Sequence, residues 1–354
     1  MTSHSTRRAS SARSVGRLVL FCAVVAAIAA CGSDGKAPTA PPDDPADSAT
    51  PPEPPKPAPN FIQLASDAGD YIGGGRTYDY NQANAIITVS AAPGHLSLRV
   101  RGDEWWEADI VTPEGVPLQA GTYTNVTRYP FNESTTGGLS WFGEGRGCNT
   151  LTGSFTIDTV AYRDSALAAI DLDFDQHCEG ADAALRGTIH WSVDDTTAPP
   201  GPVNPIPTDL WKPYSGAVAI PGNYVYLASD AGDWIGQGVT RAYTPPEFPI
   251  VVSSNYGHIS VSVAGWNGDF VPMDGRFAME VGYYGGLQRY PFHNPAKGGL
   301  DWSGNGRGCN TLTGWFVIDR VVYVGTTVKE LDMRFEQHCE GGEAALHGAI
   351  HWTA

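Results

Sequence analysis

The stretch IDLDFDQHCEGADAALRGTIHW, residues 170–191, decides the fold class. Ile170, Leu172, Phe174, Gln176 and Cys178 alternate with Asp171, Asp173, Asp175 and His177. After the glycine-containing turn 179–184 the pattern resumes at Leu185, Gly187, Ile189 and Trp191. Period two sends one row of side chains to a buried face and the other to water, so the stretch reads as two strands of a hairpin. Residues 95–100 repeat it, with Leu96, Leu98 and Val100 set against Ser97 and Arg99. Turn residues recur about every 8–12 positions, 42 glycines supply them, and no helical period stands out. The chain is expected to be all-β, with about eight or nine strands in each of two antiparallel β-sandwich, jelly-roll-like domains.

The count of two rests on an internal duplication. Residues 128–191 and 289–352 align without a gap, and 37 of the 64 positions are identical. Earlier blocks match as well, Leu64–Asp70 with Leu227–Asp233 and His95 with His258, but at an offset two residues larger, so a short indel separates the copies. A unit this long is a whole domain rather than one turn of a solenoid. Repeat 1 is placed at 60–193 and repeat 2 at 213–354. Between them, 194–212 carries Pro199, Pro200, Pro202, Pro205 and Pro207 and reads as a stiff linker.

Residues 1–30 hold Arg7, Arg8, Arg13 and Arg17, no acid, and an apolar run from Leu18 to Ala30, the layout of an export signal. Ile28-Ala29-Ala30-Cys31 resembles the lipobox of bacterial lipoproteins. That resemblance implies lipidation of Cys31, a membrane partner reached through an N-terminal lipid anchor, and a place in the cell envelope at the outer membrane. The alternative is an ordinary secretory signal cleaved after Ala30, with Cys31 a free thiol. Residues 31–59 are rich in Pro, Ala, Asp, Ser and Thr and poor in large apolar side chains, the composition of a disordered tether. Net charge is −16; without the signal, 18 Lys and Arg face 38 Asp and Glu. Such acidity disfavours nucleic acid as a partner.

Beyond Cys22 and Cys31, each copy holds two cysteines at equivalent positions, Cys148 and Cys178, Cys309 and Cys339. In an oxidising compartment the expected pairing is Cys148 with Cys178 and Cys309 with Cys339, worth about 3.5 kcal/mol per loop. The rival is a Cys/His metal site using His177 or His338. Strand alternation opposes it, because neighbours on a strand point to opposite faces.

Four blocks, Ser66–Gly73, Arg128–Phe131, Gly145–Gly153 and Gln176–Gly180, recur in order in the second copy. Together they resemble a repeat of secreted, often multidomain, bacterial proteins. The resemblance implies a modular exported β domain and transfers no catalytic residue.

Candidate sites follow from residue chemistry. Asp67 and Asp70, with Asp230 and Asp233, bracket an Ala-Gly step; such carboxylates can join a Ca²⁺ shell, the only cofactor suggested, or can accept backbone N–H groups in Asx turns. Trp105, Trp106, Arg128 and Tyr129, with Trp266, Arg289 and Tyr290, offer flat faces beside guanidinium groups, the equipment for carbohydrate or peptide. The competing reading makes these aromatics core. Tandem copies would give two weak sites that gain from effective concentration. If Cys178 pairs with Leu185, Asp173 lies opposite His190 and His177 opposite Arg186, while in copy two Arg334 lies opposite His351 and His338 opposite His347. No acid–histidine pair then persists in both. Arg146 and Arg307 sit between glycines but lack the strand-to-helix context of a phosphate cradle, which leaves a structural role beside the disulfide.

These residues describe a non-catalytic, envelope-anchored binding or adhesion module for carbohydrate or peptide. The alternatives are a structural envelope protein that uses its repeats for protein–protein assembly, and a hydrolase working with surface carboxylates and His177 or His190.

Overall fold

A computed structural model describes residues 58–218 and 222–354. The export signal, Cys31 and the tether through residue 57 lie outside the described residues. Copy one comprises β1 (Phe61–Ser66), β2 (Thr77–Asn81), β3 (Ile86–Ala92), β4 (His95–Arg101), β5 (Trp105–Val111), β6 (Gly121–Arg128), β7 (Gly138–Gly143), β8 (Leu151–Arg163), β9 (Ala166–Cys178) and β10 (Ala184–Ser192). Copy two follows with β11 (Tyr224–Ser229), β12 (Arg241–Tyr243), β13 (Val251–Asn255), β14 (His258–Val263), β15 (Trp266–Val271), β16 (Gly282–Arg289), β17 (Gly299–Gly304), β18 (Leu312–Val324), β19 (Thr327–Cys339) and β20 (Ala345–Thr353). Among the described residues there is no helix. Ten strands replace the expected eight or nine because pieces as short as β2 and β12 leave little periodic trace.

Each copy is one ten-stranded sheet with the same order, β2-β1-β10-β9-β8-β6-β7-β5-β4-β3 and its equivalent. Every pair is antiparallel except a short parallel contact between β6 and β7, repeated between β16 and β17. The edge strands β2 and β3 are consecutive in the chain, and the sheet folds over on itself. Tyr80 on β2 accepts a 2.9 Å hydrogen bond from Trp106 Nε1 on β5, as Tyr243 does from Trp266. Apolar rows from the two wings meet in the middle as a sandwich core, with Trp141 stacked on Phe174 and Trp302 on Phe335. This is the expected all-β architecture, two similar tandem domains with one internal disulfide each, Cys148–Cys178 and Cys309–Cys339.

Two core positions show how the inward row works. Because β7 meets β6 over only two residue pairs, Trp141 keeps unpaired backbone groups. Buried Gln176 supplies the missing partners, accepting from Trp141 N at 2.8 Å and donating to Trp141 O at 3.0 Å. Gln337 does the same for Trp302. Gly187, opposite Phe174, lies under its ring; an added Cβ would sit 2.1 Å from Phe174 Cε1. Only glycine admits that cross-strand packing.

The net offset of two is a three-residue difference between β4 and β5, less one residue that copy two gains between β15 and β16. Five residues separate Val100 from Trp106, whereas two separate Val263 from Trp266. The longer turn reaches copy two: Asp103 accepts from Lys297 Nζ at 2.8 and 2.9 Å and from Asn294 Nδ2 at 2.9 Å. Asn294 Nδ2 also donates to Asn84 O at 2.9 Å. The copy-one equivalents of Asn294 and Lys297 are Glu133 and Thr136, which have no cation to offer an acidic turn. The linker is bound to copy two through an isolated bridge between Val203 and Tyr283 and by Arg334 Nη1 donating to Trp211 O at 2.7 Å.

Candidate functional site

The docked turn creates a cleft of about 570 Å³ between the copies. One wall is Arg101, Asp103 and Trp105 of copy one; the other is Arg289, Phe292 and His293 of copy two. Alternation along β5 turns Trp105 outward, and it is 43% exposed. Phe292 is 76% exposed, with the Arg289 guanidinium 5.4 Å from its ring centre. A planar aromatic from each domain therefore borders one space.

The charges in this cleft are unequally committed. Asp103 is held by Lys297 and Asn294, Glu104 by Arg76 at 2.6 Å and Arg146 at 2.9 Å, and Glu144 accepts from Trp105 N at 2.8 Å. Arg101 has no ion pair among the described residues. Arg289 reaches Asn310 O at 3.4 Å, while its Nε lies 3.8 Å from Asp301 Oδ1, too far for a hydrogen bond. Both those atoms are buried without a hydrogen-bond partner in the protein. Burial, with a smaller push from Arg101, lowers His293 to about 4, so the ring is neutral at pH 7. Burial and the neighbouring Asp269 raise Asp301 above the usual carboxylate range.

The sequence-selected residues divide into three groups. Trp105 and Arg289 meet in the cleft. Tyr290 packs behind it, 4.9 Å from His258 and 5.7 Å from His293 between ring centres. Arg128 and Tyr129 form a separate patch on copy one, with Arg128 5.0 Å over the ring of exposed Phe131 and Tyr129 5.0 Å from His95. Trp106 and Trp266 are corrections: at 0% and 1% exposure they are core. The strand parity that turns Trp105 out turns Trp106 in, and Trp266 aligns with Trp106. Arg146 and Arg307 cover their rings at 5.3 and 5.1 Å. The cleft is thus one composite candidate, where duplication alone suggested one candidate per copy.

Two of the four aspartates, Asp70 and Asp233, are turn formers, whereas Asp67 and Asp230 tie the turn to the start of β10 and β20. Asp70 accepts from Ser66 Oγ, Ile72 N and Gly73 N at 2.7, 3.2 and 2.8 Å, and Asp233 repeats this with Ser229, Ile235 and Gly236. Asp67 accepts from Ala184 N and Arg186 Nη1, and Asp230 from Ala345 N. Asp70 and Asp233 thus spend three acceptor positions each on donor hydrogens, while Asp67 spends two and Asp230 one. Among the described residues no cluster of three or more His, Cys, Asp or Glu is arranged around a metal position.

The hairpin register also differs from expectation. His177 pairs with Ala184, two residues away from the expected alignment, so Asp171 faces His190 and Asp332 faces His351. Both pairs bond at 2.5 Å, and an acid–histidine pair does persist in each copy. A further cluster joins β4 to β5: His95 Nε2 lies 2.7 Å from Asp109 Oδ1 with Ser97 Oγ within 3.1 Å of both, and His258, Asp269 and Ser260 repeat it. Its sequence signal was the same wet face that places Ser97 beside His95. The arrangement is no serine-nucleophile relay, since aspartate and serine converge on the same ring nitrogen instead of opposite ones.

No family model matches the chain, and neither does a curated protein or a solved structure.

Proposed function

We propose that this protein is a non-catalytic binding module, tethered to the bacterial envelope through lipidated Cys31, that takes carbohydrate or peptide in the cleft between its two domains. One observation carries the reading: Trp105 from copy one and the Arg289–Phe292 pair from copy two border the same space. Its volume lies within the range of small-ligand sites, and exposed aromatic faces beside a few directional polar groups suit sugar rings and peptide side chains. The lipobox resemblance and the proline-rich segment support display from the outer membrane.

A glycan and peptide array probed with the full mature chain and with Trp105→Ala tests this. The reading expects a defined set of hits that the variant loses. Silence on both arrays, or hits that survive the substitution, would transfer support to protein–protein assembly. That second reading draws on Tyr71 and Trp234, equivalent aromatics exposed in both copies.

A further inference from the structure

We infer that the interdomain cleft selects a carboxylate-bearing sugar, with Trp105 as the stacking platform and Arg101 and Arg289 as the cations that recognise the acid group. The inference deepens, and rests on, the reading of the cleft as a ligand site.

Every carboxylate bordering the cleft is already engaged. Asp103 is committed to Lys297 and Asn294, Glu104 to Arg76 and Arg146, and Glu144 to a backbone N–H. The two arginines are less so: Arg101 makes no ion pair among the described residues, and Arg289 keeps only a long ion pair, 3.8 Å from Nε to Asp301 Oδ1, that leaves its Nε without a hydrogen bond. Around the cleft five cations, Arg76, Arg101, Arg146, Arg289 and Lys297, stand against four carboxylates, Asp103, Glu104, Glu144 and Asp301, an excess of one positive charge within a strongly acidic chain. Arg101 and Arg289 line this cleft from opposite walls. Guanidinium groups bind carboxylates by directional, charge-assisted hydrogen bonds, and the flanking Trp105 and Phe292 offer apolar faces to a pyranose ring.

An acidic peptide shares the charge but uses such flat platforms less well, so the sugar is the favoured occupant. The duplication sharpens the claim. Copy one repeats the Arg128–Phe131 pair, yet the second wall comes only from the long β4–β5 turn, which copy two lacks. One ligand should therefore bind per chain despite two repeats.

Isothermal titration of the full mature chain at low salt, with trigalacturonate, its neutral galactose counterpart and tetraglutamate as probes, tests the inference. The expected result is one trigalacturonate per chain, at least tenfold weaker binding of the neutral sugar and of the peptide, and at least tenfold loss for Arg101→Gln and for Arg289→Ala. Arg128→Ala serves as the unaffected control. Arg101 is exposed and unpaired, so its substitution reads recognition rather than folding. Equal affinity for the neutral sugar would overturn the acid selectivity and leave saccharide binding standing. Preference for tetraglutamate would overturn the sugar assignment while keeping a peptide site. Two ligands per chain, or binding unchanged by Arg101→Gln and Arg289→Ala, would overturn the composite site. No binding of any probe would overturn this inference, whereas the broader ligand-site reading stands or falls on the array.

Discussion

Gln176 and Gln337 sit among apolar neighbours because each answers for backbone groups the sheet leaves unpaired. Replacing Gln176 with Leu strands the Trp141 N–H and C=O in the core, and should cost about 2–3 kcal/mol in denaturant unfolding of the full chain. His293 gives a pH signature at the same scale. Its folded pKa of about 4 lies below the unfolded value near 6.5, so between these values the unfolded chain binds more protons. Stability should be whole above about pH 6.5 and fall as pH drops toward 4, by about 1–2 kcal/mol after allowing for partial solvent screening. Depressed carboxylates such as Asp195 and Glu336, both at about 2, lose their contribution only at lower pH. His293→Asn, which installs the copy-one residue, should flatten the upper window and leave the acid limb intact. An unchanged slope between pH 6.5 and 4 would refute the assignment.

Among elements, the β4–β5 turn does the joining, and its central contact is the Asp103 grip on Lys297 and Asn294. Burial opposes the charge of Asp103, yet Asn294 and Lys297 hold its carboxyl below the ordinary value. Deleting Gly102–Glu104, which gives copy one the short turn of copy two, should leave both melting transitions in place. It should also raise protease sensitivity in the linker and the radius of gyration by small-angle scattering; an unchanged radius would show that other contacts set the arrangement. The β9–β10 hairpin shows what alternation can and cannot supply. It assigns Gln176 and Cys178 inward and His177 outward, and so anticipates the disulfide. A two-residue slip keeps every side chain on its own face, so the same alternation cannot choose between Asp171 and Asp173 as the partner of His190. Trp106 was legible by the same parity, since adjacent residues of one strand do not share a face. The cleft was not legible, because its walls are far apart in the chain and only the indel marked where they meet.

For the whole molecule, duplication produces one scaffold twice and, through a short insertion, a cleft that neither copy holds alone. Each scaffold is closed by a disulfide spanning 30 residues. Reduction should lower stability by about 3.5 kcal/mol per bridge, read as a shift in denaturant midpoint with and without reductant. At the cellular level, Cys31→Ser should move the mature protein from the membrane fraction to the medium or periplasm, while the wild type stays membrane-bound. The central claim is that ligand sits between the domains against Trp105. The tryptophan indole region of a ¹H–¹⁵N spectrum of the full mature chain, recorded while titrating trigalacturonate or the strongest array hit, tests it most directly. A large shift of the Trp105 indole is expected, with the buried Trp106, Trp141, Trp266 and Trp302 nearly still. Saturable binding that leaves Trp105 unmoved would contradict it.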